Sequence, residues 1–173
     1  MNEEQLIKQA QRGDTDALAS LFREHYTFVL KYLTKVTLNP VWAEDLTQDT
    51  IVRAMEKISL YNGKSKFSSW LITIASRLMS DQAQRRKREK LWQEQEQSVR
   101  RLEWKAGHEQ EDWPEVLNAL GGLDHDMRMP LLLKHYYGYT YDEIGDMLGI
   151  PGGTAKSRVH HGIKLLRKEM DLR

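Results

Sequence analysis

Apolar side chains recur three and four places apart along most of this chain, and strict alternation over strand lengths is hard to find, so the pattern predicts an all-α fold. The first long run is Ala17, Leu18, Leu21, Phe22, Phe28, Val29, Tyr32, Leu33 and Val36, in helical register after the turn signal Gly13-Asp14. Asn39-Pro40 then interrupts it. Asparagine caps helices and proline suits the first helical position, so a second helix begins there and turns Ala43, Leu46, Ile51, Met55 and Ile58 towards a core. It should end near Tyr61-Asn62-Gly63. After Lys64-Ser65-Lys66-Phe67, Ser68 is the expected N-cap of a third helix that buries Trp70, Leu71, Ile74, Ala75, Leu78 and Met79. Its other face, Ser69, Thr73, Ser76, Arg77 and Ser80, is rich in hydroxyls and runs into Arg85-Arg86-Lys87-Arg88.

Between Glu89 and Asp112 the apolar stripe is lost among charged and amide side chains, which reads as a linker with nascent helicity. The pattern restarts at Trp113-Pro114 with Val116, Leu117 and Leu120, closed by Gly121-Gly122. Asp124 or Asp126 opens the next helix, with Leu131, Leu132 and Tyr136 inward and Gly138 as its stop. Thr140-Tyr141-Asp142-Glu143 fits a capping box and starts a short helix holding Ile144, Met147 and Leu148. After Gly149-Ile150-Pro151-Gly152-Gly153, a last helix from Thr154 turns Ala155, Val159, Ile163 and Leu166 inward. The expected organisation is two small helical domains, 1–92 and 112–173, joined by a charged linker over 93–111.

Composition narrows the classes. The 173 residues hold no cysteine, which excludes a disulfide scaffold, a thiolate zinc site and a cysteine nucleophile. No apolar run approaches the roughly 20 residues that span a bilayer. The start, Met1-Asn2-Glu3-Glu4-Gln5, lacks the apolar core of a signal peptide, so a cytoplasmic protein without membrane insertion is expected. Lys+Arg number 26 against 25 Asp+Glu, a formal charge of +1 that conceals a partition. Residues 64–90 hold eight Lys/Arg against two Asp/Glu, and 153–173 hold six against two, whereas 109–126 hold six acids and no Lys/Arg.

The span from Thr140 to Lys168 carries the strongest local signal, a capped short helix, a glycine-bearing turn and a basic second helix: a helix-turn-helix. Gly145 fits where the two helices cross closely. Thr154, Lys156, Ser157, Arg158, His160, His161 and Lys164 offer cations for phosphates and hydroxyl or imidazole groups for base edges. In the strip from Lys64 to Lys90, cations and the aromatic residues Tyr61, Phe67 and Trp70 supply the two ingredients of single-strand binding, although Trp70 keeps core register with Ile74 and Leu78. Asp45, Gln48 and Asp49 share one helix face, which by itself reads as a solvated surface. No phosphate loop, serine elbow or His-Glu-x-x-His pair is present, and His160-His161 point about 100° apart, so no catalytic residue, metal or cofactor is expected.

In order and spacing, Leu21-Phe22-Arg23-Glu24-His25-Tyr26, Ala43-Glu44-Asp45-Leu46-Thr47-Gln48-Asp49-Thr50, Phe67-Ser68-Ser69-Trp70-Leu71 and Gly153-Thr154-Ala155-Lys156-Ser157-Arg158-Val159-His160 resemble the extracytoplasmic-function sigma factors of the sigma-70 family. The resemblance covers nearly the whole chain. It implies that Asp45, Gln48 and Asp49 dock on the clamp coiled coil of core RNA polymerase. It also implies that Lys64, Lys66, Phe67, Ser69, Thr73, Arg77, Arg85, Arg86 and Arg88 form the surface that opens the −10 element and holds the single strand of promoter DNA. The helix from Thr154 would read the −35 element, and an anti-sigma factor is the further partner the family implies. Two positions depart from the family pattern: Arg77 stands where asparagine is usual, and His161 where arginine is frequent. The competing readings are a stand-alone helix-turn-helix regulator, which leaves the first half without a task, and an RNA-binding or helical adaptor module.

Overall fold

The computed structural model describes residues 2–89 and 113–171, and the expected linker lies outside them. Among the described residues there is no strand. The first half consists of α1 (Glu3–Gln11), α2 (Thr15–Thr37), α3 (Pro40–Lys57), a single 3-10 turn over Ile58–Leu60, and α4 (Phe67–Glu89). The second consists of α5 (Trp113–Gly121), α6 (His125–His135), α7 (Tyr141–Leu148) and α8 (Gly152–Asp171).

Local sequence explains the starts. Asp14 Oδ1 accepts from the backbone N–H of Asp16 and Ala17 at 3.0 Å, opening α2, and Asn39 Oδ1 accepts from Trp42 N–H at 3.0 Å, opening α3 just before Pro40. Thr140 and Glu143 form the expected box at α7, with side chain to backbone contacts of 3.2 and 2.8 Å in opposite directions. Helix α1 was not anticipated. Asn2 and Gln5 form a second capping box, and Leu6, Ile7 and Ala10 then pack inward. α4 begins at Phe67, so the expected cap Ser68 is already inside its first turn.

Packing departs from the expected faces at several points. Thr47 and Thr50 are fully buried on α3; each hydroxyl donates to the carbonyl four residues back at 2.7 Å, so neither is left unsatisfied. Ser76, expected on the outer face of α4, is fully buried too, as is Ile72, which is not among the residues expected in the core. Val116 and Tyr136, expected inward, are 40% and 53% exposed. Tyr136 lies outside because the chain leaves α6 at this residue and Tyr137 takes the inward direction, while Lys35 sits 4.7 Å from the Tyr136 ring centre.

The halves are in direct contact, and their buried apolar residues join one cluster. Tyr137 meets Phe28 and Tyr32 of α2 edge-on, with centroids 5.9 and 5.5 Å away. Beside them Arg128, 2% exposed, donates from Nε to Leu120 O (2.9 Å), from Nη2 to Leu123 O (2.6 Å) and from Nη1 to Val36 O (2.7 Å). The last of these acceptors belongs to α2. Among the described residues no carboxylate pairs with the guanidinium directly, and burial pulls its pKa down to about 10, with the Asp124 charge acting in the opposite sense.

Candidate nucleic-acid interface

Three faces bear on function, and each is set by the helix that carries it. On α3, Ala43, Leu46, Thr47, Thr50 and Ala54 occupy the inner side, which leaves Glu44, Asp45, Gln48 and Asp49 in solvent. Val41 and Val52, 59% and 57% exposed, extend the same stripe at both ends. Positions 41, 45, 48 and 52 follow the 4-3-4 spacing with which one helix meets another. Asp49 is held in place: Gln82 Nε2 donates to its Oδ2 at 3.1 Å, Gln82 Oε1 accepts from Trp42 Nε1 at 2.9 Å, and the Arg86 guanidinium stacks 4.1 Å above the Trp42 ring. The acidic stripe and the basic end of α4 are thereby tied together.

The second face is the loop 61–66 with α4. Lys64 and Lys66 are exposed on a loop fastened from below by Gln11 of α1, whose Nε2 donates to Ile58 O and Tyr61 O at 3.0 and 2.8 Å. Phe67, expected on the DNA-facing surface, is instead 1% exposed. It is the centre of a ring cluster with Phe22, His25, Tyr61 and Trp70, all with centroids within 5.1 to 5.9 Å, because the helix starts at this residue and turns it inward. Further along, Ser69 shares a 2.9 Å hydrogen bond with Tyr139, Thr73 is half-buried, and Arg77 Nη2 donates to Asp146 O at 3.3 Å. Ser76 bonds the Tyr32 hydroxyl at 2.6 Å, and burial raises the Tyr32 phenol well above its ordinary pKa. Arg85 is exposed and Arg86 lies over Trp42; Arg88 is on the last turn of α4, with its side chain outside the described residues.

The third face is α8, second helix of the helix-turn-helix. The tight turn depends on Gly145: a Cβ there would lie 2.7 Å from Ile150 O and 3.0 Å from Gly152 N, while Gly149 supplies the left-handed φ of 68° that closes α7. Ala155, Val159 and Gly162 are buried. Lys156, Ser157, His160, His161 and Lys164 consequently stand in solvent, with Thr154 half-buried and Arg158 partly covered, its Nη1 4.0 Å from Asp126. His160 is edge-on to Tyr141, with centroids 6.3 Å apart.

The structure thus gathers Asp45, Gln48 and Asp49 on one open face, and the −35 set on another, but divides the −10 set: Lys64, Lys66 and Arg85 are open, Ser69, Thr73 and Arg77 lie at the junction, and Phe67 is in the core. Sequence reasoning missed Arg128, Gln82, Tyr137 and Tyr139. The only signals for them were the mixed polarity of the tyrosine-rich turn and an arginine inside an apolar run.

The architecture defined here, a helical half with an exposed acidic stripe and a second half with a helix-turn-helix, has relatives. Residues 21–89 match Sigma-70 region 2 and residues 119–168 match Sigma-70, region 4. The chain belongs to the sigma-70 family, as a sigma factor of the extracytoplasmic-function type. It is 29% identical to RNA polymerase sigma factor CarQ of Myxococcus xanthus over 90% of each chain. It is 28% identical to ECF RNA polymerase sigma factor SigW of Bacillus subtilis, covering 95% of this chain and 94% of that one. Its fold is similar to that of sigma factor RpoE in the complex with the anti-sigma factor NepR from Bartonella quintana, with a TM-score of 0.66, 24% identity, and 87% and 96% of the two chains covered. No helix among the described residues is long and apolar enough to cross a membrane.

Proposed function

We propose that this sigma factor works in the cytoplasm as a non-catalytic initiation factor, with 1–92 as the unit for polymerase docking and the −10 element, and 112–173 as the unit for the −35 element. The observation that carries this reading is the α3 stripe: Val41, Asp45, Gln48 and Val52 stand in solvent with a spacing suited to a helical partner, and Gln82 ties that stripe to the basic helix α4. Core RNA polymerase is the partner at α3. Lys64, Lys66, Ser69, Thr73, Arg77, Arg85, Arg86 and Arg88 hold the melted −10 strand. Lys156, Ser157, Arg158, His160, His161, Lys164 and Thr154 contact the −35 duplex. Arg77 and His161 replace the residues usual in the family, so the preferred bases at both elements should differ accordingly. An anti-sigma factor is the expected regulator, as for the Bartonella protein, whose complex has this fold.

Run-off transcription tests the reading. Core polymerase with this chain should initiate on a fragment from upstream of its own operon, and failure on every such fragment would return the chain to the class of stand-alone regulators. Asp49→Lys should abolish co-purification with core polymerase while costing only about 1 kcal/mol of unfolding stability, the loss of the exposed hydrogen bond from Gln82, so that the fold stays intact. Undiminished co-purification would remove α3 from the docking assignment.

A further inference from the structure

A cavity of about 380 Å³ opens where the start of α3 and the last turns of α4 meet the turn between α5 and α6. That volume lies in the range of small-molecule sites, roughly 300–1,000 Å³, and such sites favour the seams between packed units. Met79, Ala83 and Leu123 give it buried apolar walls, continued by the half-buried indole of Trp42. Among the described residues, Arg86, Lys87 and Arg128 bring three cations to the same space, against the single carboxylate of Asp124.

The charges are unevenly met. Asp124 is committed to Lys87 at 2.9 Å and to the His125 ring at 3.2 Å. Arg128 meets only the carbonyls of Leu120, Leu123 and Val36 among the described residues, and its charge is offset only at a distance, by Asp124. Those bonds leave a further N–H on each of Nη1 and Nη2. A buried charge is ordinarily paired, because burial without a counter-charge forfeits hydration. An anion admitted to the cavity supplies that counter-charge, and an apolar body attached to it covers Met79, Ala83 and Leu123. We propose that the cavity binds a small organic anion, a carboxylate or phosphate carried on an apolar body, with its head group toward Arg128 and Lys87. The Arg86 guanidinium, stacked 4.1 Å above Trp42, keeps a further cation beside the apolar wall.

Dye binding to the full chain tests the site. The probe is 8-anilinonaphthalene-1-sulfonate, an aromatic body with one anionic group. One dye should bind per chain, saturably, with a Kd on the order of 10–100 µM, as a small-ligand site of ordinary efficiency gives. N-phenyl-1-naphthylamine, the same body without the sulfonate, should bind at least about tenfold more weakly, since only the head group meets the cations. Ala83→Trp, which fills the cavity from α4, should remove the binding of both dyes. Lys87→Glu, at a side chain 41% exposed, should weaken the sulfonate severalfold and the neutral dye little. Circular dichroism checks that both variants are folded, and if Ala83→Trp is not, Lys87→Glu decides alone. 1-Naphthoate and 1-naphthyl phosphate should displace the sulfonate, and the stronger competitor identifies the head group. Absent or non-saturable binding overturns the proposal, as does equal affinity for the two dyes. Binding that Lys87→Glu leaves unchanged places the dye elsewhere, for example on the exposed Val41 and Val52, and overturns it too. So does failure of both naphthyl anions to compete.

Discussion

Helices α4 and α8 carry similar chemistry to opposite outcomes. Each is long, 23 and 20 residues, and each joins hydroxyl side chains to a basic run. α8 satisfies its apolar residues within its own half, where Ala155, Val159 and Gly162 lie against α6 and α7, and its outer face remains in solvent. α4 has apolar character on two sides. Ile72 falls three residues after Ser69 and four before Ser76, so one stripe mixes a buried aliphatic residue with hydroxyls, of which Ser69 meets Tyr139 of the second half and Ser76 meets Tyr32 of α2. A basic, hydroxyl-bearing helix is therefore not an exposed one by virtue of its charge.

The junction breaks most completely at Arg128. Truncating it to alanine leaves carbonyls of Leu120, Leu123 and Val36 without their donor in a buried site, and a loss of about 3 kcal/mol or more is expected in denaturant unfolding. Arg128→Lys should fail to restore the loss, because a single ammonium cannot present the planar fork to three separated acceptors. Full stability in the lysine variant would show that charge, not geometry, is what the site requires.

Breaking α8 without touching α4 needs a change at the turn. Gly145→Ala forces a methyl against Ile150 O and Gly152 N, both backbone atoms, and should cost about 1–3 kcal/mol, confined to the second half. Site-resolved hydrogen exchange should show faster exchange in α7 and α8 than in α2 and α3. Uniform acceleration would mean that the two halves unfold as one unit.

Much of this contrast could be read in the sequence, and the part that could not has a common cause. Asp14, Asn39 and the Thr140 box are local signals, each completed within three residues, and each opened its helix at the expected place. The Asn2-Gln5 box is equally local, but the nine-residue helix it opens buries only Leu6, Ile7 and Ala10, too short an apolar pattern to establish a helical period. Non-local contacts were illegible. Arg128 meets an acceptor 92 residues away, and Ser69 meets a tyrosine 70 residues away. No periodicity reports such pairings. Phe67 was ambiguous for a related reason: one residue of difference in where α4 starts moves its ring from solvent to core.

The open face of α8 invites a milder perturbation. Lys156→Ala should reduce −35-dependent initiation severalfold while leaving unfolding unchanged, since the side chain is exposed and bears on no core. An equal loss on every promoter sequence, with a salt slope reduced by about one, identifies a phosphate contact; a loss on one sequence only identifies a base reader.

The smallest effect concerns the rim of the junction. Burial works to raise the Asp124 carboxyl, but the hydrogen bond from Lys87 and the charges of His125 and Lys87 outweigh it and hold the group below its ordinary value. A depressed folded pKa means that the contribution is present above the unfolded value and is lost as pH falls through the folded one, a window below about pH 4. Both partners are 41% exposed, so solvent screening limits the pair to a few tenths of a kcal/mol, and moderate salt should weaken it further. In denaturant unfolding, stability should fall slightly on acidification through this window, and Lys87→Gln should reduce that dependence, the share due to His125 remaining. A large acid-driven loss of stability that persists undiminished in Lys87→Gln would assign the pH response to other carboxylates, and would leave Tyr137 and Arg128 as the contacts that hold the junction.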